Sequence, residues 1–288
     1  MRKREYWALV APSLVVMVSL LAIPLYRTIE WSLQRVNYGD PGTFIGLQNY
    51  TTALSDARFQ RAVVFTVGLT LVVTAILLVL GYLLATAVNR LRRMRPLVLG
   101  LLLLAYVIPG LVGATMFSWL FDSNFGGPVN YFIAQLTGQD LLWFTDTWPN
   151  RVVLVLNIVW FLLPFAMLVI LAGLQSVNPE VLEAAKIDGA GPFRLHWNVI
   201  IPSVRGVIGF VILISLMDVV RIFDPLVALS PQAAAIGNES IMFYIYSVAF
   251  KDGGQQLGLG SAINVLLIII IGILLIPSIR ATAREGSR

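Results

Sequence analysis

Six long apolar runs constrain the fold of this chain more than any other feature. A helix needs about 20 apolar residues to cross the roughly 30 Å hydrocarbon core of a membrane, and it pairs its own backbone polar groups there. Of the 288 residues, 58% are hydrophobic and only 12% are charged, which is about half the charged fraction of soluble domains. The sequence therefore predicts an all-α, polytopic membrane protein, a single transmembrane domain over residues 1–288. Its six transmembrane helices are predicted at 7–27, 62–88, 97–120, 151–174, 204–229 and 257–279.

Basic residues indicate how these helices are oriented. They cluster at residues 2–4, 90–95, 186–205 and 280–288, which fall on one side of the membrane if the six helices alternate. By the positive-inside rule, both termini and the loops 89–96 and 175–203 are predicted to be cytoplasmic. The first apolar run is too long for a typical signal-peptide core, so we expect it to stay as an uncleaved first helix. The basic bias is thus a topology signal and does not require a nucleic acid partner.

The loop at 175–203 is a long polar insert between two apolar runs. Asn178 can cap a new helix and Pro179 suits its first position. Gly189 and the pair Gly191–Pro192 then break that helix. The sequence predicts a helix–turn–helix on the cytoplasmic face of the membrane.

The same loop carries a motif that resembles the E-A-A-x-x-D-G-A loop of ABC importer permeases, which is followed at a fixed distance by a hydrophobe and proline. The usual Leu before that proline is Ile201 here. A second segment, residues 44–50, is similar to the F-x-G-L-x-N-Y segment of sugar-type permeases. The chain thus resembles the carbohydrate type, such as the membrane subunits of maltose, trehalose and glycerol-phosphate transporters. The motif residues are Glu183, Ala184, Ala185, Asp188, Gly189, Ala190 and Pro202.

This resemblance implies a type I ABC importer permease fold in the cytoplasmic membrane of a prokaryote, and transport by alternating access. It implies two ATP-binding subunits, a second homologous permease subunit and an extracytoplasmic substrate-binding lipoprotein as partners, besides membrane lipids and a sugar substrate. ATP and Mg²⁺ would be bound by the ATPase subunits, because this chain has no G-x-x-x-x-G-K-[ST] phosphate loop. We expect no cofactor, metal, catalytic residue or nucleic acid on this chain itself.

The motif residues have properties that suit coupling to a motor protein. Ala184 and Ala185 are small enough for a partner groove to approach the helix backbone. Gly189 permits a turn that other residues resist. Glu183 and Asp188 can cap the turn or meet basic groups. Pro202 marks re-entry into the next span. The alternative for each residue is an ordinary solvated loop.

The fifth apolar run contains three charged residues. In one helix, the spacing of three puts Asp218, Arg221 and Asp224 along one side, where Arg221 could pair with both acids. Charged groups inside a span are costly and face a cavity or a partner. Two interpretations stay open: an ion-pair ladder that fixes helix register, or the lining of a polar substrate cavity.

Similarity to the maltose transporter's membrane subunit places sugar-contacting positions in several spans. In the third run, Pro109 beside Gly110 predicts either a packing kink or a break that lines the pathway. The stretch 230–237 departs from the T-G-G-G-P pattern common in the family. The positions carried over are Tyr106, Gly110, Asn157, Trp160, Phe161, Arg221 and Asp224.

Two other classes of function are alternatives to an ABC importer permease. An ion-coupled secondary transporter or channel for a small polar solute could use the charged residues of the fifth run and would need no ATPase. A membrane-embedded enzyme is poorly supported, because the sequence shows no metal-ligand cluster or nucleophile motif. His196, the single histidine, is predicted to be a packing or surface residue. The identity of the sugar is not specified by the sequence.

Overall fold

The computed structural model describes residues 3–91 and 93–285 and is almost wholly helical. Three of the basic residues that predict the topology, Arg2, Arg92 and Arg288, lie outside the described residues. One short hairpin joins β1 (Gln34–Arg35) to β2 (Thr43–Phe44). The helices are α1 (Lys3–Ser32), α2 (Gln48–Ser55), α3 (Ala57–Arg90), α4 (Arg95–Val107), α5 (Gly110–Phe121), α6 (Pro128–Thr137), α7 (Thr147–Gln175), α8 (Pro179–Ile187), α9 (Pro192–Leu195), α10 (Ile201–Ser203), α11 (Arg205–Val220), α12 (Asp224–Leu229), α13 (Ala233–Ile236), α14 (Ile241–Tyr246) and α15 (Leu257–Glu285), with π turns at His196–Ile200 and Ser247–Lys251.

Four of the predicted spans are single helices long and apolar enough to cross a membrane. These segments are Leu9–Ser32, Ala57–Arg90, Thr147–Gln175 and Leu257–Pro277. The third and fifth runs are not single helices. α4 and α5 meet at 98°, and the helical stretch Pro192–Ser203 meets α11 at 71°. The described residues hold six spans only if each bent pair is counted as one.

Proline explains the break in the third predicted span and the early end of the fifth. Ile108 and Pro109 adopt extended backbone between α4 and α5, so the expected kink is a full break. The predicted span 204–229 ends early, because α11 stops at Val220 and α12 begins only at Asp224. Pro225 has no N–H for the carbonyl of Arg221 and its ring would clash there in a continuous helix. Residues 221–223 are therefore not helical.

The chain forms two compact units. The first comprises residues 1–60 and 241–270. In it, Asn49 Nδ2 donates to the carbonyls of Ser32 at 3.0 Å and Gln34 at 2.8 Å, and the hydroxyls of Tyr50 and Ser32 are 2.7 Å apart. The two Asn49 bonds satisfy the carbonyl of Ser32, the last residue of α1, and the carbonyl of Gln34 in β1. The motif at 44–50 thus holds the exit of the first helix.

The second unit comprises residues 61–240 and 271–288 and contains both candidate sites. α7 forms its centre, with Val153, Leu154, Ile158 and Met167 fully buried, and it contacts α4, α5, α11 and α12. Where α7 meets α11, a Cβ added to Gly173 would lie 3.0 Å from Val207. Close packing around α7 fixes the helices that carry the functional residues predicted from the sequence.

Candidate functional site

The predicted helix–turn–helix is present in the 175–203 loop, and its first helix is defined at both ends. At the start of α8, Asn178 Oδ1 accepts a bond from the N–H of Glu180 at 2.9 Å, with Pro179 at the first helical position. At its end, the N–H of Gly189 donates to the carbonyl of Lys186 and the N–H of Ala190 donates to the carbonyl of Ala185, both at 3.0 Å. This pair of bonds is a Schellman motif. Local chemistry alone therefore specifies α8.

Gly189 makes that motif possible. Its φ of +79° lies in the left-handed region that residues with a Cβ resist, although a Cβ there would meet no atom within 4 Å. The turn thus constrains residue 189 through its backbone, without any crowding from neighbouring atoms.

The side chains of α8 are left open. None of its nine residues is buried, and Ile187 is 86% exposed. Ala184 is exposed and Ala185 half-buried. Across the described part of the chain, the carboxylates of Glu183 and Asp188 make no hydrogen bond or salt bridge, so the turn is closed by backbone groups instead of these side chains.

Beyond the turn, the loop presents a second exposed apolar element. The rings of Phe193 and Trp197 stack with centroids 6.3 Å apart, and both residues are exposed. Pro202 lies in the short helix α10, and Val204 then separates α10 from α11 at the 71° bend. Pro202 therefore lies two residues before Val204, where the chain bends into the fifth apolar run.

The predicted pathway residues of α4 and α7 form an aromatic cluster. The ring of Tyr106 stacks against Phe161 and Phe165, with centroids 6.0 and 5.9 Å away. Trp160 packs against Phe117, and a Cβ added to Gly113 would lie 2.9 Å from the Trp160 ring. The structure thus brings Tyr106 and Phe161 together on one surface.

A second group forms where α12 packs on α5. A Cβ added to Gly110 would lie 2.7 Å from Asp224 Oδ2, so the absence of a side chain at 110 gives this carboxylate its place. Both residues border the break between α4 and α5. Asp224 remains exposed within the chain.

Asn157 differs from the other predicted pathway residues. It is only 2% exposed, and its Nδ2 has no hydrogen-bond partner in the part of the chain that the structure describes. An unpaired buried amide costs free energy. In this conformation Asn157 lies inside the packed core around α7 and does not reach an open surface.

The predicted charge ladder is only partly formed. Arg221 Nη2 lies 3.1 Å from Asp218 Oδ1, and Arg221 Nε donates to the carbonyl of Met217 at 2.9 Å. The prediction that one helix aligns all three charges is wrong, because α11 ends at Val220 and Asp224 starts a new helix. Among the described residues, Arg221 forms a salt bridge with Asp218 and none with Asp224.

A buried polar network joins α7 to the 230–240 segment and was not anticipated from the sequence. Asn150 Nδ2 donates to the carbonyls of Leu229 at 2.6 Å and Trp143 at 3.2 Å. Its Oδ1 accepts from Ser230 Oγ at 2.8 Å and Asn238 Nδ2 at 3.1 Å. Of these partners, Ser230 belongs to the stretch 230–237, where the sequence departs from the glycine-rich pattern of the family. That departure marks the stretch as unusual, but no local sequence pattern indicates that it pairs with Asn150.

Comparison with known proteins decides the family. Residues 77–284 match the model of a family described as "Binding-protein-dependent transport system inner membrane component". The chain belongs to this family. As an inner membrane transport component, it is a permease subunit, as the two sequence motifs predict.

Individual relatives of this transport component are also permease proteins. It is 34% identical to the trehalose transport system permease protein SugA of Mycobacterium tuberculosis over 289 residues, covering 99% of this chain and 91% of that protein. It is 33% identical to the inner membrane ABC transporter permease protein YcjO of Escherichia coli over 269 residues, covering 91% and 89%. The resemblance to ABC importer permeases is confirmed.

A solved structure shows the same fold. A chain of a bacterial alginate ABC transporter, crystallised with a periplasmic protein bound to an alginate pentasaccharide, superposes with a TM-score of 0.86. The match covers 99% of this transport component and 96% of that chain at 19% identity. The predicted ABC importer permease fold is therefore correct at the level of overall architecture.

Proposed function

We propose that this permease subunit moves a carbohydrate into the cell by alternating access, driven by ATP hydrolysis on separate subunits. In this proposal the chain crosses the membrane six times, with each bent pair forming one crossing, and both termini are cytoplasmic. The relative SugA is named for trehalose transport, and the alginate transporter was crystallised with an oligosaccharide-bound protein. Both names support a carbohydrate substrate.

The exposed surface of α8 is the observation that best supports ATP-driven coupling. This helix is ordered by its own caps, yet it buries none of its nine residues. A fully exposed Ile187 beside the small Ala184 gives a partner groove an apolar knob and a close approach to the backbone. Exposed apolar groups with this arrangement are typical of protein-binding surfaces. We infer that an ATPase subunit covers α8 and that Glu183, Ala185, Asp188, Ala190 and Pro202 support or complete that contact.

The α4–α5 break supports a carbohydrate pathway. Aromatic faces stack on sugar rings, and carboxylate or guanidinium groups bind hydroxyls. Tyr106 is 44% exposed beside Phe161, and Asp224 lies against Gly110 at the same break. Asp218 and Arg221 are also accessible within the chain. We propose that this surface faces the translocation pathway.

The proposal includes partners with separate tasks. Two ATP-binding subunits would hold ATP and Mg²⁺, a second homologous permease would complete the pathway, and an extracytoplasmic binding protein would deliver the sugar. This chain would bind lipids but no cofactor, metal or nucleic acid. Energy enters through the loop at 175–203, and the substrate passes at the aromatic surface.

Replacing Ile187 with Asp tests the coupling surface. We expect Ile187→Asp to release the ATPase subunits during purification of the complex and to abolish substrate-stimulated ATP hydrolysis, because a charge would be buried in the groove. Leu136→Asp is a matched control, since Leu136 on α6 is also 86% exposed. It should retain the ATPases.

The outcome separates the proposed function from its alternative. Purified chain alone in liposomes should not transport sugar. If it transported sugar down an ion gradient, and Ile187→Asp had no effect, the chain would be an ion-coupled transporter or channel instead.

A further inference from the structure

A cavity of about 460 Å³ lies beneath the 175–203 loop. Its lining comes from the last turn of α3, the end of α7, the inner side of α8 and residues 190–200. α3 and α7 are both candidate membrane spans, and their carboxyl ends line this one cavity. The cavity therefore lies at the shared end of two candidate spans, the region where a membrane-spanning helix meets the lipid headgroups.

The polar lining of this cavity is cationic. Arg90 and Lys186 both line it, together with His196, and none of the lining residues is acidic. Among the described residues, neither Arg90 nor Lys186 forms a salt bridge, and the loop acids Glu183 and Asp188 lie outside the lining. The cavity thus holds uncompensated positive charge.

The third basic residue of the lining, His196, is affected by this positive charge. Its Nδ1 lies 2.7 Å from the hydroxyl of Tyr82, and the two rings meet edge to face. Burial lowers the pKa of His196 from its ordinary value, and the positive charge of Arg90 lowers it further. His196 is half-buried against Tyr82, and the positive charge available for a ligand resides on Arg90 and Lys186.

The apolar residues of the lining favour a lipid over a small soluble anion. Leu174, Val177, Leu182, Leu195 and Ile200 form apolar walls beside the two cations. A phosphate diester with acyl chains would contact both the cations and the apolar walls, whereas a free phosphate would leave the apolar walls in water.

We propose that this cavity binds one anionic phospholipid, with Arg90 and Lys186 contacting the headgroup phosphate and the apolar walls holding the start of an acyl chain. Lys186 belongs to α8, so the bound lipid would link that helix to the membrane directly. Arg90 anchors the opposite side from α3. The binding site stands on the cavity itself and does not depend on the ATP-driven function proposed above.

Lipid retention measured by native mass spectrometry tests this site. The full complex is purified from nanodiscs of phosphatidylglycerol and phosphatidylcholine, and the lipids that remain bound are counted. We expect one tightly held phosphatidylglycerol in the wild type. The double variant Arg90→Gln/Lys186→Gln should bind it on the order of 10- to 30-fold more weakly, the loss expected for two cationic contacts.

Arg194→Gln is the matched control, because Arg194 is an exposed cation of the same loop that does not line the cavity. Equal weakening by Arg194→Gln, or equal retention of phosphatidylcholine, would overturn the proposal. Inorganic phosphate at millimolar concentration should not displace the lipid, and full displacement would mean that the cavity is a soluble-anion site.

A photoreactive phosphatidylglycerol, with its reactive group near the start of an acyl chain, gives an independent measurement on the wild-type complex. Crosslinks should appear in the peptides around Leu174, Leu182 and Ile200. Crosslinks confined to other parts of the chain would also contradict the site, whatever the stability of the variants.

Discussion

The 175–203 loop and the 230–240 segment both connect helices of the chain, but they achieve order by opposite means. In the 230–240 segment, Ser230, Asn238, Glu239 and Ser240 are at most 3% exposed, and Ser230 and Asn238 bond to Asn150. In α8 no residue is buried, and only backbone groups and one asparagine cap fix the turns. The polar side chains of the 230–240 segment bond to other groups inside the protein, whereas those of α8 remain exposed and can bind a partner. The comparison predicts that substitutions will affect stability in the first region and coupling in the second.

Asn150→Ala should have the largest effect on stability. It removes two donors from the carbonyls of Leu229 and Trp143 and the shared acceptor of Ser230 and Asn238. Leaving several buried groups unpaired should cost about 2–4 kcal/mol. Thermal unfolding in detergent measures this loss. Asn124→Ala, the same change at an exposed turn, is the control. An equal melting temperature for both variants would show that the network does not stabilise the segment.

Gly189→Val should act mainly on coupling. At a φ of +79°, a β-branched residue strains the turn that closes α8, at a cost of roughly 1–2 kcal/mol. Because α8 contributes no buried residue, we expect the protein to insert and fold while substrate-stimulated ATP hydrolysis falls at least tenfold.

Gly189→Asn provides a graded control for this turn, since asparagine tolerates the left-handed region better than valine. It should retain much of the coupled ATP hydrolysis. If valine and asparagine were equally harmful, the effect would come from the added side chain and not from the backbone geometry, which would contradict the open space around residue 189.

The difference between the two regions also explains what could be predicted from the sequence. Asn178, Pro179 and Gly189 act on backbone groups within a few residues, so local rules locate α8 and its turn correctly. The partners of Asn150 lie up to 88 residues away along the chain. A lone asparagine near the start of an apolar run carries no local sign of such a hub. Long-range pairing was therefore missed where local capping was predicted.

The same distinction applies to the spans. Hydropathy identifies the six apolar runs in the sequence, but it does not show where the helix axis bends or breaks within a run. Pro109 was expected to kink a helix, whereas the structure has a 98° break, and Pro225 ends the fifth run early. Hydropathy averages over about 20 residues, whereas one proline acts on a single turn. The Asp218–Arg221–Asp224 alignment was wrong for this reason.

Ser230→Ala should have a smaller effect than Asn150→Ala. It removes one donor, while Asn150 Oδ1 keeps its bond from Asn238 at 3.1 Å. The expected loss of unfolding free energy is about 1 kcal/mol, the usual net value of one hydrogen bond. Because both residues belong to one network, the double variant should lose less than the sum of the two single losses. A strictly additive double variant would mean that Ser230 and Asn150 act independently.

Asp218→Asn should have the smallest effect on stability and is the most informative about the pathway. The side chains of Arg221 and Asp218 are 54% and 41% exposed, so their ion pair should contribute less than about 1 kcal/mol. If the pair faces the sugar, removing the charge should raise the half-saturating sugar concentration for uptake several-fold at nearly unchanged melting temperature. Glu30→Gln is the matched control, because Glu30 forms an i,i+3 pair with Arg27 on α1 and is not a predicted pathway residue. A large drop in melting temperature with unchanged uptake would instead assign the Asp218–Arg221 pair to holding the end of α11, and the pathway would have to be sought along the aromatic surface of Tyr106 alone.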